Sequence, residues 1–378
     1  MPSYTAPLRE HLFCLYDLFD FETHRRLPGF EEFSRDVIEQ VLEQSGRFAG
    51  EIAQPLNRNG DEEGARLVNG NVIAPKGFKD AYRMLCEGGW PALTCDPADG
   101  GQGMPHMINV LFEEMLCGAN MSFALFPGLT RGAYVALKYF GSPEQRAKYL
   151  ARLASGEWAG AMCLTEAHCG TDLGLLRTQA VLKGDHYAIT GTKVFISAGD
   201  HDLTPNIIYL VLARLPDAPR GTKGISLFVV PKVLDDGTRN RLGCSALERK
   251  MGIHASPTCV MNFDGATGWL VGEPHQGLKA MFAMMNTERI AVGTQGLAVA
   301  EVSYQNAAAY ARERRQGRGS SPGGEADPII VHPDVRRMLM TQRALAEGCR
   351  MLALATAAEL AAAERHADPQ VRKAMEAR

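Results

Sequence analysis

Two short stretches carry the residues best suited to chemistry. The first, Ala161-Met162-Cys163-Leu164-Thr165-Glu166-Ala167-His168-Cys169-Gly170-Thr171-Asp172, is an apolar run that opens into a polar loop. A loop built around Gly170 can turn backbone N–H groups toward an anion or an electron-rich ring. The second, Ile189 to Gly199, sets strand-type residues around Gly191 and places an aromatic face, Phe195, two residues from a hydroxyl, Ser197. That combination suits a flat heteroaromatic ligand; a sheet edge with ordinary core packing is the alternative reading. A third feature is the pair Glu288-Arg289 within Met284-Met285-Asn286-Thr287-Glu288-Arg289-Ile290. Met285, Ile290, Ala291 and Val292 give Glu288 an apolar setting able to raise a carboxylate pKa. Its alternative is a solvated or salt-bridged helix residue.

Composition narrows the classes. A chain of 378 residues, 46% apolar and 22% charged, has the balance of a soluble protein with room for two or three domains. The net charge of −3 and pI near 6.4 provide no basic field for nucleic acid or an anionic membrane. The nine cysteines are scattered, odd in number and never spaced Cys-x-x-Cys, a usage that suits a reducing cytoplasm. The ten histidines show no zinc-type spacing, so no metal is expected. No apolar run approaches the roughly 20 residues of a membrane span, and the N-terminus lacks a basic region followed by an apolar one. The expected location is cytoplasmic.

Periodicity then supplies the elements that must hold these residues. Residues 4–21 carry a helical stripe at Leu8, Leu12, Leu15, Leu18 and Phe19, and residues 29–53 read as an amphipathic helix. Asn57 to Asn71 reads as loop, Gly77 to Glu87 as a short helix, and Asp96 to Gly103 as a turn. Residues 104–124 and 127–154 read as further helices, the second interrupted at Gly141-Ser142-Pro143-Glu144. The texture then changes to short β-branched runs: Thr178–Lys183, His186–Thr190, Lys193–Ile196, Asn206–Ala213, Ile225–Val230 and Cys259–Asp264. Gly184-Asp185 reads as the centre of a hairpin turn. Helical periodicity returns over Gln276–Arg315 and Val331–His366, separated by a mobile Gly/Ser/Pro loop at Gly317–Asp327, and Asp368–Arg378 starts another helix. The expected fold is α+β: an N-terminal helical domain (1–157), a central antiparallel β domain (158–272) and a C-terminal helical bundle (273–378).

The two opening stretches resemble the paired flavin-binding signatures of the acyl-CoA dehydrogenase family. Leu164–Asp172 is similar to Leu-Thr-Glu-Pro-x-Ala-Gly-Ser-Asp, and Gly191–Gly199 to Gly-x-Lys-x-Trp-Ile-Thr-Asn-Gly. Ala167, Cys169, Thr171 and Phe195 stand where the family has proline, alanine, serine and tryptophan. The order helices, β domain, helices is also the family's, and the N-terminal stripe resembles the extension of its longer branch. The resemblance implies FAD as cofactor, with Met162, Leu164, Thr165, Gly170, Thr171, Phe195 and Ser197 as flavin contacts. It also implies an acyl-CoA substrate met by Thr171 and Arg289, short or medium in chain length, with 3-methylmercaptopropionyl-CoA one candidate. The reaction would be α,β-dehydrogenation to the trans-2-enoyl-CoA, with electrons passed to an electron-transfer flavoprotein. In the isovaleryl-type and long-chain enzymes the catalytic base is a glutamate immediately before an arginine on the first long C-terminal helix, which is Glu288 here; in most of the family, the longer branch included even where the Glu-Arg pair is present, it lies in a distal Tyr-Glu-Gly-Thr-like motif that does not occur before Arg378, so the base is either Glu288 or a residue beyond Arg378. Arg314 resembles an arginine that reaches the FAD of a neighbouring subunit, although its usual partner phenylalanine is replaced by Gly317. A dimer or tetramer is therefore expected, and the missing last helices make the chain read as C-terminally incomplete. An oxygen-using acyl-CoA oxidase and a non-catalytic FAD- or CoA-binding relative are the rival readings.

Overall fold

A computed structural model describes residues 3–319 and 326–376. In chain order the helices are α1 (Leu8–Leu12), α2 (Phe21–His24), α3 (Arg35–Arg47), α4 (Pro55–Glu63), α5 (Phe78–Glu87), α6 (His106–Phe140), α7 (Pro143–Ala154), α8 (Gly277–Glu313), α9 (Pro333–Arg365) and α10 (Pro369–Glu376). The strands are β1 (Arg66–Val68), β2 (Asn71–Ile73), β3 (Trp158–Cys163), β4 (Gln179–Lys183), β5 (His186–Ser197), β6 (Asn206–Arg214), β7 (Ile225–Pro231), β8 (Leu242–Leu247) and β9 (Thr258–Val271). The α+β class holds. The chain divides into two compact units, each built from segments distant in sequence: residues 1–55, 104–121 and 290–378 form one, and residues 56–103 and 122–289 the other.

The first unit is helical, and its interior is partly ionic. Arg350 of α9 is 0% exposed and meets Glu114 of α6 through both Nε and Nη2, at 3.1 and 2.6 Å. It also donates to Glu301 of α8 at 2.9 Å and to Glu347 at 2.7 Å. His11 of α1 reaches Glu114 from the other side at 3.1 Å. Burial alone would raise the Glu114 carboxyl; His11 and Arg350 overcome it and hold that group down at about 2. A buried carboxylate survives only when its lone pairs are filled in this way. The first helical stripe is shorter than its periodicity suggests, because α1 passes into a π-helical turn over Phe13–Leu18. The 29–53 helix likewise resolves into α3 and a π-helical turn over Phe48–Ala53.

The second unit holds the sheet. Strand β6 is buried along nearly its whole length because both of its faces are covered. Ile208, Leu210 and Leu212 pack with Leu137 of α6, Tyr149 of α7 and Met284 of α8. Ile207, Tyr209 and Val211 pack instead with Phe228 of β7 and Met261 and Phe263 of β9. The pairings β6–β7, β7–β9, β9–β5, β5–β4 and β4–β6 form a closed circuit, with β8 on β9 and β3 on β6. A glycine decides how closely α6 approaches this sheet: a Cβ on Gly160 of β3 would lie 2.4 Å from the Ala133 Cβ. The Thr130 hydroxyl accepts the Gly160 N–H there at 3.1 Å.

Four expectations are corrected. The sheet is mixed, not antiparallel throughout, because β3 runs parallel to β6 with the β4–β5 hairpin between them in sequence. Asn57 to Asn71 is not loop: α4 continues to Glu63, supported by the Arg58–Glu62 pair at 2.7 Å, and β1 and β2 form a hairpin after it. The break expected between 124 and 127 falls instead at Asn120, whose backbone leaves the helical region (φ −158°, ψ 89°) and kinks α6, and the helix beyond it runs through Pro127 to Phe140. The two strands expected over His186–Thr190 and Lys193–Ile196 are one, β5, and the hairpin turn at Gly184-Asp185 joins it to β4. Residues 320–325 of the expected mobile loop, and the last two of the helix expected over Asp368–Arg378, lie outside the described residues.

Candidate active site

The two opening stretches meet in the second unit. Strand β3 delivers the loop Leu164–Asp172, and the far half of β5 lies alongside it: the Val194 N–H donates to the Thr165 carbonyl at 2.9 Å. Lys193 ties them more firmly. Its side chain is 0% exposed, and its ammonium donates to the Leu164 carbonyl and to Glu166 Oε1, each at 2.9 Å. Glu166 also accepts from the Thr178 hydroxyl at 2.6 Å and from the backbone N–H groups of Arg177 and Thr178 at 2.9 and 3.0 Å. Burial would raise the Glu166 carboxyl; Lys193 and these hydrogen bonds hold it down at about 2. Burial works against the Lys193 ammonium and lowers its pKa, while Glu166 opposes that shift. Neither Glu166, Lys193 nor Thr178 was singled out from the sequence. The signal was there: a lysine inside a strand pattern at a core-facing register needs a carboxylate to go with it.

Beside this pair β5 bulges. Its register against β9 shifts between Lys193 and Ile196, so Val194 and Phe195 stand opposite Val260 alone. Phe195 takes a left-handed backbone at φ 59°, and the residue is 62% exposed. A left-handed aromatic residue costs on the order of 1–3 kcal/mol and persists only where its surroundings dictate it. Here buried Lys193 and buried Ile196 dictate it from either side. The bulge turns a flat apolar face outward, where a planar ligand can stack. Ser197, half-buried, follows at the strand end opposite Thr258.

The other expected residues fall into groups. Thr165 is half-buried, and Gly170 and Thr171 are exposed on the loop. Met162 and Leu164 pack into the core between sheet and helices. The donor atoms of Glu166, His168 and Cys169 lie within 4.8 Å of one another, but the carboxylate is engaged by Lys193, Thr178 and Arg177. Glu288 is half-buried on α8, one turn beyond buried Met284, and its Oε1 lies against Gly132 of α6. Arg289 is exposed, hydrogen-bonded to Asn286, with its guanidinium 5.6 Å from the centre of the Phe282 ring. Arg314 belongs to the first unit, where it is exposed just past the end of α8.

The matching family models follow the chain in order. The acyl-CoA dehydrogenase N-terminal domain matches residues 38–157, the middle domain residues 161–266 and the C-terminal domain residues 275–377. The chain belongs to the acyl-CoA dehydrogenase family. It is 49% identical over 371 residues to 3-methylmercaptopropionyl-CoA dehydrogenase of Ruegeria pomeroyi, a match covering 96% of this chain and 63% of that protein. Among solved structures it is similar to butyryl-CoA dehydrogenase from Megasphaera elsdenii, with TM-score 0.72, 23% identity and 90% and 87% of the two chains covered. It is also similar to the electron transferring flavoprotein structure of Acidaminococcus fermentans, with TM-score 0.74, 25% identity and 87% and 82% covered. The chain spans about three fifths of the length of four curated relatives that it matches.

One prediction follows from the bulge alone. Phe195→Ala should weaken FAD binding by about 10-fold, the loss of one stacking contact of roughly 0.5–1.5 kcal/mol beyond its buried area. Phe195→Trp should restore it. Quenching of flavin fluorescence during titration measures both, and equal affinity of the alanine variant would remove Phe195 from the site.

Proposed function

We propose that this protein is an FAD-dependent acyl-CoA dehydrogenase. The observation that carries the reading is the exposed Phe195 ring on its left-handed bulge, beside the loop that Lys193 and Glu166 fix to it. Those residues fit a flavin: a flat face for the ring system, a hydroxyl at Ser197 for its polar edge, and the exposed Gly170-Thr171 backbone for polar groups nearby. Bound FAD would supply the acceptor for the hydride that leaves the substrate's β-carbon. The chain's own residues do the rest. Glu288 takes the proton from the carbon next to the thioester carbonyl, which needs a carboxylate of raised basicity in a site that excludes water. Buried Met284 beside it and its own half-buried position support that role. Arg289 offers a cation to the polyanionic CoA, and Thr171 a hydroxyl to its pantetheine.

The substrate is a short or medium acyl-CoA, and the 49% identical relative makes a thioether acyl-CoA the first to try. Electrons pass to an electron-transfer flavoprotein, a partner suggested by the Acidaminococcus structure. The protein works in the cytoplasm as a homo-oligomer in which Arg314 serves the flavin of a neighbouring subunit. No helix among the described residues is long and apolar enough to cross a membrane, and all nine cysteines are free, which supports that location. The test is a visible spectrum of the FAD-loaded protein, taken without oxygen, before and after adding 3-methylmercaptopropionyl-CoA or butyryl-CoA. Bleaching of the flavin band is expected with at least one of them. A band unchanged by either overturns the reading for this chain.

A further inference from the structure

Glycine is a poor choice inside a helix, and α6 has two in its second half, Gly128 and Gly132. They differ in what surrounds them. A Cβ on Gly128 would meet nothing within 4 Å, whereas a Cβ on Gly132 would lie 2.8 Å from Glu288 Oε1, 2.8 Å from Met284 Cγ and 3.2 Å from Met284 Cε. Gly132 has an ordinary helical backbone, so space rather than conformation is what its missing side chain provides. Met284 and Glu288 are four residues apart on α8 and therefore share one face. Together they straddle the notch. Met284 is 0% exposed, and the fully buried Ala133 lies next to the notch on α6, so little slack remains around it.

We propose that Gly132 is a positioning residue for Glu288: the one-methyl notch in α6 seats the carboxylate and sets the direction from which it can reach a bound acyl chain. This rests on the reading of Glu288 as the base. Any side chain at 132 must push either the carboxylate or Met284 out of place. The carboxylate yields, because Met284 is held in the core between sheet and helices and Glu288 is half-buried at the edge of it.

The experiment compares Gly132→Ala, Gly128→Ala, Glu288→Gln and Glu288→Asp in the FAD-loaded protein. Gly128→Ala should melt at or above the wild-type temperature, since alanine is the better helix former and its Cβ meets open space, whereas in Gly132→Ala that gain is offset by the cost of displacing a packed side chain. Gly132→Ala should slow acyl-CoA-dependent bleaching of the flavin by about 100-fold, the scale of a reacting group misplaced by about 1 Å. Gly128→Ala should leave the rate as it is. A readout independent of activity is the carboxyl carbon resonance of Glu288 in protein labelled at glutamate, assigned by its loss in Glu288→Gln. Its position and titration midpoint should move in Gly132→Ala and stay put in Gly128→Ala. Glu288→Asp, one methylene shorter, should cost less in the Gly132→Ala background than alone. An unmoved resonance and an undiminished rate in Gly132→Ala would overturn the proposal. So would rescue of Gly132→Ala by Met284→Ala rather than by Glu288→Asp. If Glu288→Gln is fully active, the assignment of the base fails, and the resonance comparison by itself decides whether Gly132 seats the carboxylate.

Discussion

Glu288→Gln is expected to slow bleaching of the flavin by an acyl-CoA by about 10²- to 10⁴-fold, the usual contribution of a positioned general base. Glutamine keeps the length and hydrogen-bonding reach of the side chain and removes only its capacity to take a proton. Acyl-CoA affinity should therefore change little, and the loss should appear in the rate at saturating substrate. Nothing else in α8 needs to move, so the melting temperature should stay within a few degrees of wild type. Stopped-flow absorbance with excess acyl-CoA separates the two quantities. A glutamine variant as fast as wild type would mean that the proton goes elsewhere.

Lys193→Met carries the largest expected effect on stability. The methionine fills the volume of the lysine stem and leaves Glu166 as a buried carboxylate without its cation, a change that typically costs about 3–5 kcal/mol. The loop Leu164–Asp172 would lose its attachment to β5, because the same ammonium holds the Leu164 carbonyl. FAD affinity should fall with stability, since the bulge that carries Phe195 begins directly after Lys193. Glu166→Gln in the same chain should recover part of both losses, the sign of a direct coupling. The pair also sets a direction for acid sensitivity. The Glu166 carboxyl moves from an ordinary value of 4.5 to about 2, so its stabilising contribution is complete above about pH 4.5. It drains away as the pH falls toward 2, where the folded state too takes up the proton. In Lys193→Met the carboxyl loses its main cation, its pKa rises, and this part of the acid sensitivity should disappear. Denaturant melts at pH 7 and pH 3 read both effects. A Lys193→Met protein with wild-type stability and FAD affinity would contradict the role given to the pair.

What the sequence made legible was what repeats or what is short. Strand β6 reads as a strand because two covered faces leave no charged or amide side chain between Ile207 and Ala213, and α8 and α9 read as helices because periodicity survives over more than thirty residues. The two flavin-type stretches were visible because their residues are contiguous. What stayed hidden depended on partners far along the chain. Lys193 and Glu166 lie 27 residues apart, and although a core-facing lysine calls for some carboxylate, nothing local says that it is Glu166. The notch at Gly132 has the same character: a glycine among helix formers looks like a weak spot until Glu288, on another helix, is seen to occupy it. Strand β8 escaped because Gly243 and Ser245 weaken its pattern, and pairing along β9 overrides that local preference. Helix α4 escaped because its asparagines and glycine spell loop, whereas Gly60 lies beneath the Phe78 ring, with a Cβ there only 2.7 Å from it.

The proposed reaction removes two hydrogens from adjacent carbons of an acyl-CoA. The most direct measurement is a single turnover without oxygen, with FAD-loaded protein in excess over 3-methylmercaptopropionyl-CoA and the thioester analysed by mass. A product lighter by two hydrogens is expected, formed in step with bleaching of the flavin and one for one with it. A thioester recovered at its original mass, with the flavin still oxidised, would contradict it.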